Sequence, residues 1–467
     1  MILQQYFLAC LSHASYLVGD ERSGRAIVVD PQRDVSAYLA DAQAHGLRIE
    51  KVVETHFHAD FLSGHLELAA RTGAEICYGE PAQADFPIRV LRDGERIDLG
   101  DVQVEVWATP GHTPESISLV VREHAGDEEP YAVLTGDTLF IGDVGRPDLL
   151  AAADLAPADM ARSLYHSLHD RLLTLPDSTR VYPAHGAGSA CGRSLSTETE
   201  STIGAQRRLN YALQPMREDD FVAMVTEGQP PAPPYFAFDA VRNRQARPLL
   251  DENATVPQLD MEQVLDHQAL GGVVLDTRAP NDFAAGHLRG AVNVGLEGRF
   301  AEYAGDVLRP DQSVVLVADE GRVQEATVRL ARVGFDGVLG SLREPVKAFV
   351  ASPELTERSS RITAAELAER MASGMALTLL DVRNPGEVEG GGVPGAVNIP
   401  LPQLARRLDE VELSRPLVVY CASGYRSMIA ASLLRRHGAD DVSDLLGGYE
   451  AWRILPSRAQ DAATPAG

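Results

Sequence analysis

Two stretches of this chain repeat each other, and a repeat of their spacing fixes the architecture of the C-terminal half. LDTRAPNDFAAGHLRGAVNVGL (275–296) matches LDVRNPGEVEGGGVPGAVNIPL (380–401), with Asp276 over Asp381 at an offset of 105. Further on, SVVLVADEGRVQEATVRLARVGFDGV (313–338) matches PLVVYCASGYRSMIAASLLRRHGADDV (416–442) at 104. Each copy reads strand, turn, strand, buried strand, loop, helix, strand. That alternation predicts a parallel α/β sheet in each copy. A unit of about a hundred residues is long enough to fold alone, so the pattern is domain duplication rather than a solenoid.

The first half follows a different pattern. RAIVVD (25–30), EKVVETH (50–56), VQVEVWATPGH (102–112), YAVLTGD (131–137) and TRVYPAH (179–185) are short apolar stretches that each close on an Asp or a His. They read as strands ended by turns, and such endings predict a site at one edge of the sheets. Helical stretches fall between them, FLSGHLELAARTG and MARSLYHSLHDRLLTL among them. The densest cluster is THFHADF (55–61), in which His56, His58 and Asp60 alternate. A strand through them puts all three on one face, and a loop converges them equally well. His112, Asp137 and His185 follow at later strand ends. A single histidine of this kind is more often a satisfied polar residue than a ligand. Several at strand ends in one domain indicate a metal site.

The order H-x-H-x-D, then a His, an Asp and a last His, resembles the metallo-β-lactamase superfamily. That resemblance implies an α/β multidomain chain whose N-terminal part is an αββα sandwich. The family carries a further histidine directly after the Asp, and Phe61 stands there instead. A phenyl ring cannot ligate, so one metal rather than two is implied. Within the superfamily the chain most resembles the persulfide dioxygenases, relatives of glyoxalase II. The likeness implies one Fe(II) per chain held by His56, His112 and Asp137, with positions left open for O2 and substrate. His58, Asp60 and His185 then orient ligands and water. The competing expectation is a zinc site and a glyoxalase-II-like thioester hydrolase with a sulfurtransferase appended.

Around this site, Asp30 is expected to hold the loop. Arg146, in GDVGRPDL (142–149), either pairs with Asp148 or a neighbouring carboxylate or shapes the substrate end. Tyr182 is either packed or placed to hydrogen-bond a thiol cosubstrate. Cys191, on the Gly/Ser-rich loop after His185, is either an inert small residue or handles sulfur.

In the last repeat an apolar strand leads into CASGYRS (421–427) and then a helix. A cysteine before a helix N-terminus feels the positive end of the dipole, and the loop N–H groups form a nest for an anionic sulfur. Arg426 adds a fork suited to sulfite or thiosulfate oxygens, and Ser423, Gly424 and Ser427 surround the same atoms. The pattern C-x-x-G-x-R resembles the rhodanese family, with Asp381 and GAVNIP as accompaniments. Phosphatase loops of the C-x₅-R type have a wider ring. The middle repeat places VLVADEGRVQEA here, with Val317 over Cys421 and Arg322 retained at the arginine position. That copy has no nucleophile and is expected to be a structural or docking domain.

The net charge of −25 excludes sequence-independent nucleic-acid binding and an anionic membrane surface, both of which need basic patches. No run approaches the roughly 18 apolar residues of a bilayer span. The N-terminus lacks a basic region and cleavage pattern. Four cysteines without paired spacing (Cys10, Cys77, Cys191, Cys421) predict no disulfide framework and a reducing, cytoplasmic setting. The Pro-rich EGQPPAPPYF (227–236) and the Arg/Asn-rich stretch after it form either a boundary or an ordered arm. Expected domains are 1–250 (metal), 251–355 (cysteine-less rhodanese-like) and 356–460 (catalytic rhodanese), with the tail QDAATPAG frayed. Expected partners are a thiol persulfide of glutathione or coenzyme A type, O2, sulfite or thiosulfate, and further copies in a homo-oligomer. The chemistry expected is oxidation of the persulfide to sulfite, followed by sulfur transfer through Cys421.

Overall fold

The computed structural model describes residues 1–149, 156–193 and 195–456. The chain divides into two compact units. The first comprises Met1–Ala232, Phe236–Asp251 and Ala331–Gly334; the second comprises Pro233–Tyr235, Glu252–Leu330 and the chain from Phe335 onward.

In the first unit, β1 (Ile2–Leu8) and β2 (His13–Asp20) pair antiparallel. They join β3 (Arg25–Val29), β4 (Arg48–Val53), β5 (Glu75–Gly79) and β6 (Arg89–Leu91) in a six-stranded sheet in sequence order. The second sheet runs from β7 (Arg96–Asp98) through β8 (Gln103–Ala108), β9 (Ile117–Arg122), β10 (Ala132–Gly136) and β11 (Arg180–Pro183) to β12 (Ser201–Thr202).

The period-2 alternation of strand side chains sorts each sheet into two faces. Val18, Ile27 and Val29 of one sheet meet Val104, Leu119 and Leu134 of the other in the central core. Their neighbours Leu17 and Val28 face away, onto Tyr38 and Leu68 of the flanking helices. On the other side Val120 and Val133 pack on Leu164, Leu168 and Phe221. The layers are therefore helix, sheet, sheet, helix, as the resemblance implied.

The irregular parts matter more for the site. β4 stops at Val53, so His56, His58 and Asp60 sit on a loop rather than on a continuing strand. Only His65–Thr72 of the expected first helix is helical. The second expected helix runs from Pro157 to His166 and continues as a π-helical turn and a 3-10 turn. The Arg/Asn-rich stretch is an ordered arm of the first unit, opening with the helix Phe236–Arg242. No helix among the described residues is long and apolar enough to cross a membrane.

The second unit holds two five-stranded sheets of identical order. In the first copy, β13 (Gln258–Leu259), β14 (Val273–Asp276), β16 (Val292–Asn293), β17 (Val314–Val317) and β18 (Val338–Leu342) lie in the order β13-β18-β17-β14-β16, all parallel. A two-residue pair, β15 (His287–Leu288) with β19 (Thr356–Glu357), stands outside it. In the second copy, β20 (Ser360–Ile362), β21 (Thr378–Asp381), β22 (Val397–Asn398), β23 (Leu417–Tyr420) and β24 (Val442–Leu445) lie in the order β20-β24-β23-β21-β22, again all parallel. The tail expected to fray, 457–467, lies outside the described residues.

The repeated LD-x-R and GAVN motifs make one clasp, built twice. Arg278 reaches back to Asp276 and Arg383 to Asp381, each pair buried and each with a 2.6 Å contact. Asn293 then donates to the Asp276 and Arg278 carbonyls, and Asn398 to those of Asp381 and Arg383.

The strand register corrects one alignment. Asp276 lies opposite Val317 as Asp381 lies opposite Tyr420, so Val317 corresponds to Tyr420 and Ala318 to Cys421. The left-handed glycines Gly321 (φ +77°) and Gly424 (φ +103°) then coincide. Arg322 matches Tyr425 rather than Arg426, and Val323 holds the arginine position. The first copy thus lacks both cysteine and arginine. Breaking a buried ion pair by removing one partner costs roughly 3–5 kcal/mol. Asp381→Ala should therefore lower the urea midpoint of the C-terminal unfolding transition sharply, followed by circular dichroism.

Candidate metal centre and sulfur-transfer loop

The ends of β4, β8, β10 and β11 deliver the ligand candidates to one place. His56 Nε2 lies 3.8 Å and His112 Nε2 3.5 Å from Asp137 Oδ2, and all three residues are buried. His56 Nε2 and Asp137 Oδ2 have no hydrogen-bond partner among the described residues. Buried polar atoms left bare in this way are costly unless something else satisfies them, and two imidazole nitrogens around a carboxylate oxygen suit a metal ion. Both tautomers are fixed from behind. His112 Nδ1 is 2.9 Å from the Arg146 carbonyl, which can only accept, so Nε2 is left bare. Thr55 Oγ1 donates to Asp30 Oδ2 and so accepts from His56 Nδ1 at 3.0 Å. Burial holds both histidines below the usual imidazole range, in the form that ligates.

The remaining members of the motif are spent on carboxylates. His185 Nδ1 lies 2.7 Å from Asp137 Oδ1 and Nε2 2.7 Å from Asp60 Oδ2. Burial works against its charge, yet Asp137 and Asp60 push His185 up to about 10. Asp137 in turn is held far below the carboxylate range, because the charge and hydrogen bond of His185 outweigh its burial. His58 turns away from the trio, 3.1 Å from Asp30 Oδ1 and 3.4 Å from Glu54 Oε2. Those two carboxylates overcome burial and raise it well above the imidazole range.

Phe61 is buried, with its ring centroid 4.4 Å from that of His58 and 4.0 Å from that of His13. Cys191 is buried beside His185 and Asp60, within ligand reach of both. Burial and the neighbouring carboxylates push its thiol well up, so it is not a ready thiolate. Arg146 pairs with Asp148 through two 2.7 Å bonds, and its carbonyl orients His112. Tyr182 packs in the sandwich core with its hydroxyl donating to Glu200.

Four residues escaped the sequence reading. Asn243 donates to the His58 and Phe61 carbonyls at 2.8 and 2.7 Å and accepts from the Ser63 N–H, so the arm clasps the motif loop. Glu115 accepts from the Phe57 N–H, and Glu54 sits between His58 and His65. His13 is buried among His58, Phe61 and His185 with both ring nitrogens bare. No pattern announced any of them, since each acts on residues distant in sequence or lies outside a motif.

In the second unit, β23 ends at Tyr420 and the loop from Cys421 to Gly424 leads into the helix Tyr425–Arg436. The buried Cys421 Sγ accepts from the Gly424 N–H at 3.1 Å and lies 3.8 Å from Ser427 Oγ. Gly424 adopts the left-handed region that favours glycine. The opposite rim is a second glycine pair. The Tyr449 and Glu450 N–H groups bond the Cys421 and Ala422 carbonyls, close enough that a Cβ at Gly448 would overlap both residues' backbone. Arg426 is bound bidentately by Glu387, at 2.7 Å for each bond, and Ser423 is exposed on the loop.

The comparisons with known proteins agree with this fold. Residues 8–185 match the Metallo-beta-lactamase superfamily, and residues 260–351 and 363–455 each match the Rhodanese-like domain. Over 247 residues the chain is 31% identical to a persulfide dioxygenase of Bos taurus, mitochondrial ETHE1, spanning 52% of this chain and 87% of that protein. Over 261 residues it is 34% identical to a probable metallo-hydrolase of Burkholderia pseudomallei, 48% and 85% respectively. A solved metallo-beta-lactamase structure from Staphylococcus aureus is 32% identical, with a TM-score of 0.66 over 73% of this chain and 98% of that one. The chain belongs to the metallo-beta-lactamase superfamily. More particularly, its metallo-β-lactamase domain has persulfide dioxygenase homologues and is fused to two C-terminal rhodanese-like domains.

Two outcomes follow from the supporting contacts. Losing an outer partner of a metal site typically costs about 10–100-fold in affinity. Asn243→Ala should weaken metal binding on that scale in chelator competition. Gly448→Ala should distort the Cys421 loop and abolish rapid alkylation of Cys421, read by mass spectrometry.

Proposed function

We propose that the chain oxidises a low-molecular-weight thiol persulfide with O2 and moves sulfane sulfur through Cys421, clearing persulfide and sulfite together in a reducing, cytoplasmic setting. The observation that carries this reading is a three-donor set, His56, His112 and Asp137, with His58 engaged by Asp30 and Glu54 and Phe61 in place of a further ligand. Such a set fits one Fe(II) per chain, and a ferrous ion with three protein ligands supplies open positions for O2 and a persulfide sulfur. The overall conversion is RSSH + O2 + H2O to RSH and sulfurous acid, with glutathione or coenzyme A as the carrier class.

The chain's own residues hold this site in register. The Arg146 carbonyl and Thr55 keep the two Nε2 lone pairs facing inward. His185 ties Asp137 to Asp60, so the carboxylate ligand stays oriented.

At the second site the Cys421 thiolate attacks the outer sulfur of a persulfide, the S–S bond breaks and the thiol departs with the electron pair. Sulfite then takes that sulfur from the Cys421 persulfide, giving thiosulfate and restoring the thiolate. The Gly424 N–H faces the sulfur throughout. The reverse flow, from thiosulfate to a thiol, uses the same groups.

A second reading, a zinc thioester hydrolase with an appended sulfurtransferase, is favoured by the 34% identity to a probable metallo-hydrolase. Metal analysis with persulfide-dependent O2 uptake separates the two: iron with uptake supports the first, zinc with thioester cleavage the second. Given persulfide aerobically, wild type should yield thiosulfate and Cys421→Ser sulfite. Identical products from both would show that the two steps are not coupled.

A further inference from the structure

The repeated clasp does more in the second copy than close a strand. Arg383, held by Asp381, donates through Nη1 to the Glu387 carbonyl at 3.1 Å and through Nη2 to the Gly391 carbonyl at 2.8 Å. Glu387 lies in the short helix Pro385–Val388, and its Oε2 accepts from the Asn384 N–H at 2.9 Å. Backbone and side chain are thus both anchored where the carboxylate meets Arg426. Arg426 Nη1 donates to Glu387 Oε2 and Nη2 to Oε1, at 2.7 Å each. Arg426 stands between Gly424 and Ser427, the two residues that approach Cys421 Sγ.

That pairing takes the end of the guanidinium that a sulfur oxyanion would use. A planar fork recognises such oxygens by two parallel N–H bonds, and a carboxylate of the same chain already accepts from both Nη groups. Burial works against the charge of Glu387, yet the Arg426 bonds hold it below the usual carboxylate range, so the competitor is ionised at neutral pH. The pair is also reachable. Side-chain exposure is 14% for Arg426 and 35% for Glu387, so an incoming anion can exchange with the carboxylate, losing that contact as it does. A thiol persulfide makes no such demand. Its outer sulfur carries no oxygens, and the Gly424 N–H that faces Cys421 Sγ serves it.

We propose that Glu387 sets the donor preference of the Cys421 loop: by masking Arg426 it weakens the binding of sulfur oxyanions and leaves thiol persulfides as the better donors. The inference rests on the sulfurtransferase reading of Cys421. From thiosulfate, the thiolate attacks the sulfane sulfur, the S–S bond breaks and sulfite departs with the electron pair. From a persulfide the departing group is a thiolate, and only the first of these carries oxygens for Arg426. Masking therefore disfavours loading of Cys421 from thiosulfate, and thiosulfate formed at the loop is released rather than retained. Glu387 touches no reacting atom and acts through Arg426.

The test uses the full chain without O2, with thiosulfate or glutathione persulfide as donor and cyanide as acceptor, each rate corrected for the uncatalysed reaction. Glu387→Gln keeps the shape and an acceptor for the Asn384 N–H and removes the charge, so KM for thiosulfate should fall about fivefold, the scale of a partly exposed ion pair. KM for the persulfide should not fall with it, and sulfite should protect Cys421 from iodoacetamide at lower concentration. In an Arg426→Gln background the same change should bring no gain. A mere brace for the loop predicts the opposite sign, KM rising for both donors. That outcome, an unchanged KM for thiosulfate, an equal fall for both donors, or a gain that persists without Arg426 would each overturn this inference alone. Wild type unable to transfer sulfur from either donor would overturn the sulfurtransferase reading and this inference with it.

Discussion

The candidate metal centre is organised by one buried carboxylate, Asp137. It is kept ionised above all by the charged His185, because a lone carboxylate at that depth would otherwise take up a proton. Its two oxygens are divided: Oδ1 faces His185 and Oδ2 faces the two bare imidazole nitrogens. Every other group can be ordered by its distance from that division. His185 passes the charge on to Asp60, the Arg146 carbonyl and Thr55 set the tautomers, and Asn243 holds the backbone from which His58 and Phe61 project. The site is therefore pre-formed by the protein, with bare lone pairs already converging.

The parts legible in the sequence were those whose partners are close along the chain or stand at strand ends. His56, His112, Asp137 and His185 could be named as candidates because each follows a strand of readable pattern, and the choice of the first three as a ligand set came from the resemblance alone. The fate of His58 could not, since its orientation is decided by Asp30, brought in from the end of β3, and by Glu54, which precedes the motif. The Asn243 clasp spans 180 residues or more and leaves no periodic trace. Loop or strand for residues 54–63 was undecidable from alternation alone, because alternate residues share a face on a strand but can also converge from a loop.

The repeat teaches a related lesson about register. Setting Arg322 over Arg426 put Val317 over Cys421, while hydrogen bonding puts Ala318 there. The discrepancy lies after β17: Val314 pairs with Val338 where Leu417 pairs with Val442, so the second copy carries one residue more between these strands and the offset of 104 holds only beyond the loop. A ladder fixes register because a slip of one residue would turn every inward Val outward. The conserved element is thus the Asp–Arg–Asn clasp at the end of β14 and β21, which survives in both copies regardless of chemistry.

That survival explains why a copy stripped of its nucleophile remains a well-packed domain. The clasp uses buried charges that must stay paired, and the sheet it anchors supplies part of the core into which Met428 inserts. The helix following Cys421 is consequently satisfied on two sides, its own strands on one and the degenerate copy on the other. A thiol loop at the N-terminus of a helix works only if the helix does not drift, because the donors around the sulfur are backbone groups whose positions it sets. A copy without the cysteine still supplies the wall against which the other copy's loop is built.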